Sequence, residues 1–226
     1  MIRVEKIEVI FLLAVLSLMT FSNTCLAFDD GDWQYWNTEG ISVKLSDEWK
    51  AELEQEFRWG DDMANPYYNH TDVGFTYSGL ADWFDFGINY RHINEEKSNE
   101  WKREHRPHIN GTVKWKLQDF SFSNRGRLEF REREDADETW QYRNKLSVKP
   151  PISLTKYKIQ PYVADETFFD SDSKELNRNR LYSGISFNIF KALKGEVYYL
   201  WQRSKSSSSG KWTDYNVAGT KLKLSF

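Results

Sequence analysis

The chain has 226 residues, a formal net charge of −3 and only 39% hydrophobic residues, yet 16% of its residues are aromatic. Disordered chains are poor in aromatic residues, so this composition argues against global disorder. A helical membrane protein needs runs of about 18 apolar residues. After residue 27 the longest unbroken apolar run is Val197 to Trp201, which excludes helical spans there.

The N-terminal segment is predicted to be a cleaved signal peptide. Two basic residues precede an apolar stretch over residues 9–21, and the small residues Cys25 and Ala27 occupy the −3 and −1 positions of a cleavage site. An N-terminal anchor helix is the alternative, and the shortness of the apolar stretch disfavours it. We therefore predict a signal peptide over residues 1–27 and one domain over residues 28–226.

Beyond the signal peptide, apolar and polar residues alternate along most of the chain. From Trp49 to Gly60 the odd positions are mainly aromatic or aliphatic and the even positions are charged. A period of two is typical of a β-strand with two unlike faces. The pattern recurs in eleven segments, which run through residues 32–45, 49–60, 67–77, 84–91, 108–117, 120–130, 140–148, 157–166, 180–189, 194–202 and 221–226.

The connections between these segments are predicted to alternate in length. Short connections are expected at residues 46–48, 78–81, 118–119, 150–155 and 191–192, and long polar ones at 60–66, 93–106, 132–139, 170–179 and 204–211. Short turns on one side and long loops on the other are typical of outer-membrane barrels. We predict an all-β fold, an antiparallel up-and-down transmembrane β-barrel with a polar, charged lumen and an apolar, aromatic exterior. A soluble β-sandwich has the same period, but its strands are usually shorter.

Aromatic residues gather at the segment ends, as the two interfacial girdles of a membrane barrel require. They are Trp33, Trp36, Trp49, Trp59, Tyr67, Tyr77, Tyr90, Trp115, Phe120, Trp140, Tyr157 and Trp201. The terminal Phe226 resembles the sorting signal that outer-membrane barrels present to the barrel-assembly machinery. We therefore expect the protein to lie in the cell outer membrane of a Gram-negative bacterium. Its expected partners are that machinery, outer-membrane lipids and lipopolysaccharide.

The number of strands is predicted to lie between ten and twelve. Single-chain bacterial barrels have even strand numbers, whereas eleven segments alternate here. The ten segments from Trp49 to Phe226 would close alone, or one strand has been missed and there are twelve. The short turn at Ser46 pairs the first segment with the second, which favours twelve.

Four stretches of the chain resemble a known family. They are Phe57-Arg58-Trp59-Gly60-Asp61-Asp62, Arg106-Pro107-His108-Ile109-Asn110-Gly111-Thr112, Leu176-Asn177-Arg178-Asn179-Arg180-Leu181-Tyr182 and Thr220 to Phe226. The chain is similar over nearly all of residues 28–226 to an uncharacterised bacterial family of predicted outer-membrane β-barrels, a domain of unknown function. The resemblance implies the fold and the location, and it implies no activity and no catalytic residue.

With the polar face of each strand toward the lumen, seventeen basic and eight acidic residues would line it. The candidate lumen-lining residues are Glu52, Glu54, Glu56, Arg58, Arg91, His108, Lys114, Arg125, Arg127, Glu129, Arg143, Lys145, Lys158 and Arg180. A basic pore attracts anions, and arginine binds carboxylates through two parallel hydrogen bonds. This predicts a narrow, porin-like channel for an anionic solute, such as an acidic oligosaccharide.

A closed structural or surface-interaction barrel is the alternative interpretation. Small barrels can fill their interior with side chains, and the three glutamates of the second segment could form a salt-bridged plug with arginines of later strands. The pairs that we predict for this plug join Glu52, Glu54 and Glu56 to Arg125, Arg127 and Arg143.

A membrane-embedded lipid hydrolase ranks third, because such an enzyme needs a Ser and a His on its outer wall. His108 lies in a stretch that lacks the serine, and its register points it into the lumen. We predict no catalytic residue, no cofactor, no metal site and no nucleic-acid partner.

Overall fold

The computed structural model describes residues 30–134, 136–172, 174–206 and 209–226, so the predicted signal peptide lies outside the described residues. Nowhere in these ranges is there a helix that is long and apolar enough to cross a membrane. The strands are β1 (Trp33–Lys44), β2 (Trp49–Gly60), β3 (Asn65–Ala81), β4 (Phe84–Lys97), β5 (Glu100–Leu117), β6 (Phe120–Arg133), β7 (Ala136–Lys149), β8 (Gln160–Asp170), β9 (Glu175–Asn188), β10 (Leu193–Lys205) and β11 (Trp212–Ser225).

The eleven strands form one closed barrel in which each strand is antiparallel to the next along the chain. Strand β1 closes it by pairing in parallel with β11, from Trp33 opposite Asn216 to Ser42 opposite Ser225. An up-and-down chain with an odd number of strands starts and ends in the same direction, so its closing pair must be parallel. The predicted all-β, up-and-down barrel is confirmed. The favoured count of twelve strands is not observed, because each of the eleven alternating segments is one strand.

Three of the five predicted long loops, at residues 93–106, 132–139 and 170–179, are wrong, because most of their residues belong to strands. Most of residues 60–66 and 204–211 lie between strands, as predicted. Strands β4 and β5 continue to pair as far as Lys97 and Glu100, on either side of a turn made by Ser98 and Asn99. Both turn residues have positive φ, as the two central residues of a type I′ hairpin turn do. Polar residues can extend a strand here because backbone pairing needs no apolar side chain.

The long connection lies instead on the side where short turns were expected. Strands β7 and β8 are joined by residues 150–159, so Lys158 lies in this connection and not on a strand as predicted. The other connections at this end are residues 45–48, 82–83, 118–119 and 189–192, and Phe226 lies here too. We call this end the C-terminal rim and the opposite end the N-terminal rim.

Alternation divides the strands into an outer and an inner face. On β1, Gln34, Trp36 and Thr38 are buried in the barrel, while Trp33 and Val43 are exposed on the wall. The outer wall carries large apolar side chains, among them Leu53, Val73, Phe75, Ile88, Ile109, Val163, Leu181, Ile185 and Val197. The interior is mainly polar and charged, as predicted.

Two residues of the predicted aromatic girdles point inward. Trp36 is only 2% exposed and packs with Leu200 and Val217 in a small apolar cluster. Its ring nitrogen donates a hydrogen bond to the Gln34 side chain, 3.0 Å away, and the hydroxyl of Tyr67 donates to the same oxygen over 2.7 Å. Position near a segment end suggested a girdle, but the alternation in β1 assigns Trp36 to the inner face.

Candidate functional site

The middle of the lumen is built around a fully buried carboxylate, Glu129 of β6. It accepts hydrogen bonds from Arg143 at 2.8 Å, from Arg106 at 3.1 Å and from Arg127 at 3.5 Å. The side chains of Arg127 and Arg143 start from directly paired positions on β6 and β7. Two adjacent guanidiniums repel each other, so the carboxylate between them stabilises the arrangement.

A second buried carboxylate, Glu166, extends this arrangement along the inner wall from β6 through β7 to β8. It accepts hydrogen bonds from Arg143 at 2.8 Å, from Arg125 at 3.0 Å and from the hydroxyl of Tyr182 at 3.0 Å. Arg180 lies 3.6 Å from its other oxygen. Arg143 therefore bridges both carboxylates. We call this set the central network, and it consists of Glu129, Glu166, Arg106, Arg125, Arg127, Arg143 and Arg180.

The β2 glutamates do not pair with the arginines that the sequence suggested. Glu52 accepts a hydrogen bond from Lys223, and Glu54 accepts one from Lys221, each over 2.5 Å. Glu56 lies 2.6 Å from the guanidinium of Arg58 on its own strand. The predicted pairs with Arg125, Arg127 and Arg143 are therefore wrong.

The closing seam explains these partners. Thr38 and Gly40 of β1 lie between β2 and β11, and each pairs with a residue on both sides. Gly40 is opposite Glu54 on one side and Lys223 on the other. Because both β1 residues are small, long side chains of β2 and β11 can meet above them. This pairing depends on closure between the first and last strands, which the alternation does not reveal.

Two cavities occupy the lumen above and below a layer of arginines. The lower chamber, toward the C-terminal rim, has a volume of about 420 Å³, and the upper chamber, toward the N-terminal rim, about 680 Å³. Four residues line both chambers, and we call them the arginine layer. They are Arg58, Arg91, Arg143 and Arg180.

The two chambers differ in their balance of charge. Ten basic and seven acidic side chains line the lower chamber, whereas ten basic and four acidic ones line the upper chamber. Both linings are net basic, and the excess is larger above the arginine layer. Such a lining raises the local concentration of small anions.

Aromatic faces support the guanidiniums of the layer. The guanidinium carbon of Arg58 lies 3.7 Å from the ring centroid of Trp36. The corresponding carbons of Arg143 and Arg180 lie 4.6 and 4.8 Å from the ring centroid of Phe168. Contacts of cations with ring faces are attractive and hold these side chains in position. Neither aromatic residue was predicted to line the lumen, although the alternation of β1 and β8 places both on the inner face.

Most of the predicted lumen residues line the lower chamber. These are Glu52, Glu54, Glu56, Arg58, Arg91, Arg125, Arg127, Arg143, Lys145 and Arg180. His108 and Glu129 are buried in the interior of the barrel. Lys114 pairs with Asp85 over 2.9 Å, and Lys158 lines a rim pocket of about 450 Å³ that shares Glu196, Lys221 and Lys223 with the lower chamber.

The lining of the upper chamber was largely missed. Arg106, Arg133, Arg178 and Lys205 line it, but they fall in segments that were interpreted as loops. On β9 the signal was present, because Arg178 and Arg180 alternate with Asn179 and Leu181. On β5 and β6 charged residues are consecutive over 102–104 and 131–133, so the alternation does not continue there. Within the described ranges, no group of three or more His, Cys, Asp or Glu residues is arranged to hold a metal ion.

A sequence profile of the family described as "Protein of unknown function (DUF2490)" matches residues 33–213. The match starts at the first residue of β1 and ends within β11, so it covers nearly the whole barrel. The resemblance to a family of unknown function is thereby confirmed. No curated protein matches the chain.

Proposed function

Since the chain belongs to the DUF2490 family, whose description gives no function, we propose a function from the structure itself, a narrow, anion-preferring channel in the outer membrane. Support for the location comes from the wall of the barrel, where large apolar side chains are exposed on almost every strand. Soluble monomers rarely expose contiguous apolar patches beyond a few hundred Å². A lipid environment would cover this wall, and the signal-like segment over residues 1–27 fits export to that membrane.

The two rims of the barrel are assigned to opposite sides of the proposed membrane. Strand β11 ends at the C-terminal rim, and we assign this rim to the periplasmic side. The upper chamber then faces the outside of the cell, where its rim would meet lipopolysaccharide. Anionic solutes would enter there, and the proposal includes no catalytic role.

The arginine layer is the single observation on which the channel rests. It is the shared boundary of two net-basic chambers, so an anion on either side meets the same four guanidiniums. Rings of basic side chains favour anions in pores. An anion would cross the layer by replacing, one after another, the carboxylates as hydrogen-bond acceptors of these arginines.

A closed barrel is the second candidate, and the central network favours it. Glu129 and Glu166 are both almost fully buried, and Arg143 joins them along the inner wall from β6 through β7 to β8. A network of this kind fills the interior and can hold the strands together without any passage. The two candidates differ in one measurable property, the passage of ions.

Single-channel recording separates them. The full chain would be expressed with its own N-terminal segment, purified from membranes in detergent and inserted into a planar bilayer under a KCl gradient. We expect a small current whose reversal potential indicates anion preference, with a weaker preference for the double variant Arg143→Gln with Arg180→Gln. Arg103→Gln, an exposed arginine that lines neither chamber, is the matched control and should behave like the wild type.

The contrary result is equally clear. A folded protein, shown by a heat-dependent shift on gels, that carries no current would exclude the channel and leave the closed barrel. Recovery of the protein from the periplasm and not from the membrane would contradict the proposed location.

A further inference from the structure

The upper chamber has the features of a binding site for a ligand that the chain itself does not supply. Its volume of about 680 Å³ is within the range of small-molecule pockets. Among the residues that the structure describes, eight arginines, two lysines and four acidic residues line it. The lining includes Asp172, Ser206 and Gly210 in connections at the N-terminal rim, so the chamber reaches that end of the barrel.

Two of its arginines have unsatisfied charge. In the part of the chain that the structure describes, neither Arg133 nor Arg178 forms an ion pair, and the Nε atom of each is buried without a hydrogen-bond partner. Arg178 packs against the ring of Phe168 at 5.3 Å, and Arg133 donates to the backbone oxygen of Asp137 over 2.9 Å. Buried polar groups are normally satisfied, so such groups call for an explanation.

The neighbouring arginines already occupy nearby carboxylates, which are therefore not free to pair with Arg133 and Arg178. Arg106 and Arg131 share one carboxylate, that of Glu104, with contacts of 2.7 Å each. Arg180 lies over the same Phe168 ring as Arg178, and it already uses Glu166 as its partner. Six of the eight arginines therefore pair with carboxylates, and Arg133 and Arg178 are the two that form no ion pair among the described residues.

We propose that the upper chamber binds a small, water-soluble oxyanion that carries at least two phosphate or carboxylate groups. Two guanidiniums without ion pairs match two such groups, since guanidiniums bind phosphate and carboxylate oxygens through charge-assisted hydrogen bonds. The chamber offers little apolar surface to an acyl chain, because Phe168 is only 1% exposed and its ring is already covered by guanidiniums. The inference rests on the proposed function only in that the lumen is accessible from the N-terminal rim.

Calorimetric titration tests this site without requiring conduction. The membrane-purified full chain in nonionic detergent would be titrated at low salt with tripolyphosphate, citrate and orthophosphate. We expect one tripolyphosphate per chain, weaker binding of orthophosphate, and an affinity that falls as salt is added. The response to citrate distinguishes a site for both groups from one restricted to phosphate.

Variants then locate the site. Arg178→Gln should weaken tripolyphosphate binding by roughly tenfold or more, which is the usual consequence of losing a hydrogen bond to a charged group. Arg133→Gln is the second variant in case the first does not fold, as judged by its heat-dependent gel mobility. Lys158→Gln, in the rim pocket, should bind like the wild type.

The outcomes for site and channel are distinguishable. Binding that is unchanged in Arg178→Gln and Arg133→Gln, or no binding by the folded wild type, overturns the site even where a current is recorded. Binding by a protein that conducts no ions supports the site and excludes the channel.

Discussion

The two chambers share four arginines but differ in how far their charged side chains are paired. In the lower chamber most cations meet carboxylates, as Lys221 meets Glu54 and Arg91 meets Asp72 at 2.8 Å. Among the described residues of this chamber, Lys145 forms no ion pair, and its ammonium lies 3.6 Å from the ring centroid of Tyr182. In the upper chamber Arg133 and Arg178 have no such partner among the described residues. The net charge of a lumen therefore does not by itself indicate whether its charged side chains are available to a ligand. Paired charges stabilise a barrel, whereas unpaired charges are available to a ligand.

The largest effect is expected where pairing is most complete. Glu129→Ala would leave Arg106, Arg127 and Arg143 without their shared buried carboxylate. Breaking a buried ion pair by removing one partner typically costs 3–5 kcal/mol, so we expect a loss of about 3–5 kcal/mol in the free energy of unfolding. Urea titration followed by tryptophan fluorescence in detergent measures it.

The control for this variant is an exposed pair. Lys44 and Asp47 lie 2.7 Å apart at the C-terminal rim, and Asp47→Asn should leave the unfolding midpoint unchanged. Equal midpoints for Glu129→Ala and the wild type would show that the central network does not stabilise the fold.

A somewhat smaller effect is expected from the aromatic support of the arginine layer. Trp36→Ala removes a buried ring that contacts Leu200, Val217 and the guanidinium of Arg58. Truncating a buried Trp costs about 3–5 kcal/mol, and we expect the lower end, about 3 kcal/mol, because solvent in the adjacent chamber can refill the space. Trp49→Ala on the exposed wall is the control. A negligible loss for Trp36→Ala would contradict its inward orientation.

Replacing one cation by methionine in each chamber tests this difference in pairing. In the lower chamber, Lys221→Met removes the partner of Glu54 but leaves His70 and Arg91 within 3.9 Å of that carboxylate. Because the pair is about one-third exposed, we expect a loss of only about 1–2 kcal/mol. Unfolding in urea measures this change, and a gain in stability would contradict the pairing described for the lower chamber.

In the upper chamber the sign should reverse. Arg178→Met replaces an unpaired guanidinium by an apolar side chain that can still pack on Phe168. Removing a poorly compensated charge stabilises a fold, so we expect a gain of about 1 kcal/mol in the absence of anions. Thermal unfolding in phosphate-free buffer measures it, with Lys158→Met as the control. Destabilisation by Arg178→Met would indicate that this arginine is structural.

Much of the fold could be predicted from the sequence because alternation is a local property. Every strand was located, and the inner and outer faces of β2 followed directly from Trp49 to Gly60. The extent of the strands was not predicted, since polar residues such as those flanking Ser98 pair through their backbones. Hydropathy therefore marks the apolar part of the wall and not the end of a strand.

The site was less predictable because it depends on which strands become neighbours. The partners of the β2 glutamates come from β11 across Gly40, and no local pattern signals a parallel closing pair. The central role of Glu129 depends on its register with Arg143 of β7, which no short motif encodes. The sequence indicated an excess of basic residues, but their pairing required the fold.

The most direct test of the account is single-channel recording with tripolyphosphate added to one side at a time. The account predicts an anion-preferring current that tripolyphosphate blocks from the side of the N-terminal rim, where the upper chamber opens, and a loss of this block in Arg178→Gln. A cation-preferring current, or a folded barrel that conducts no ions, would contradict it.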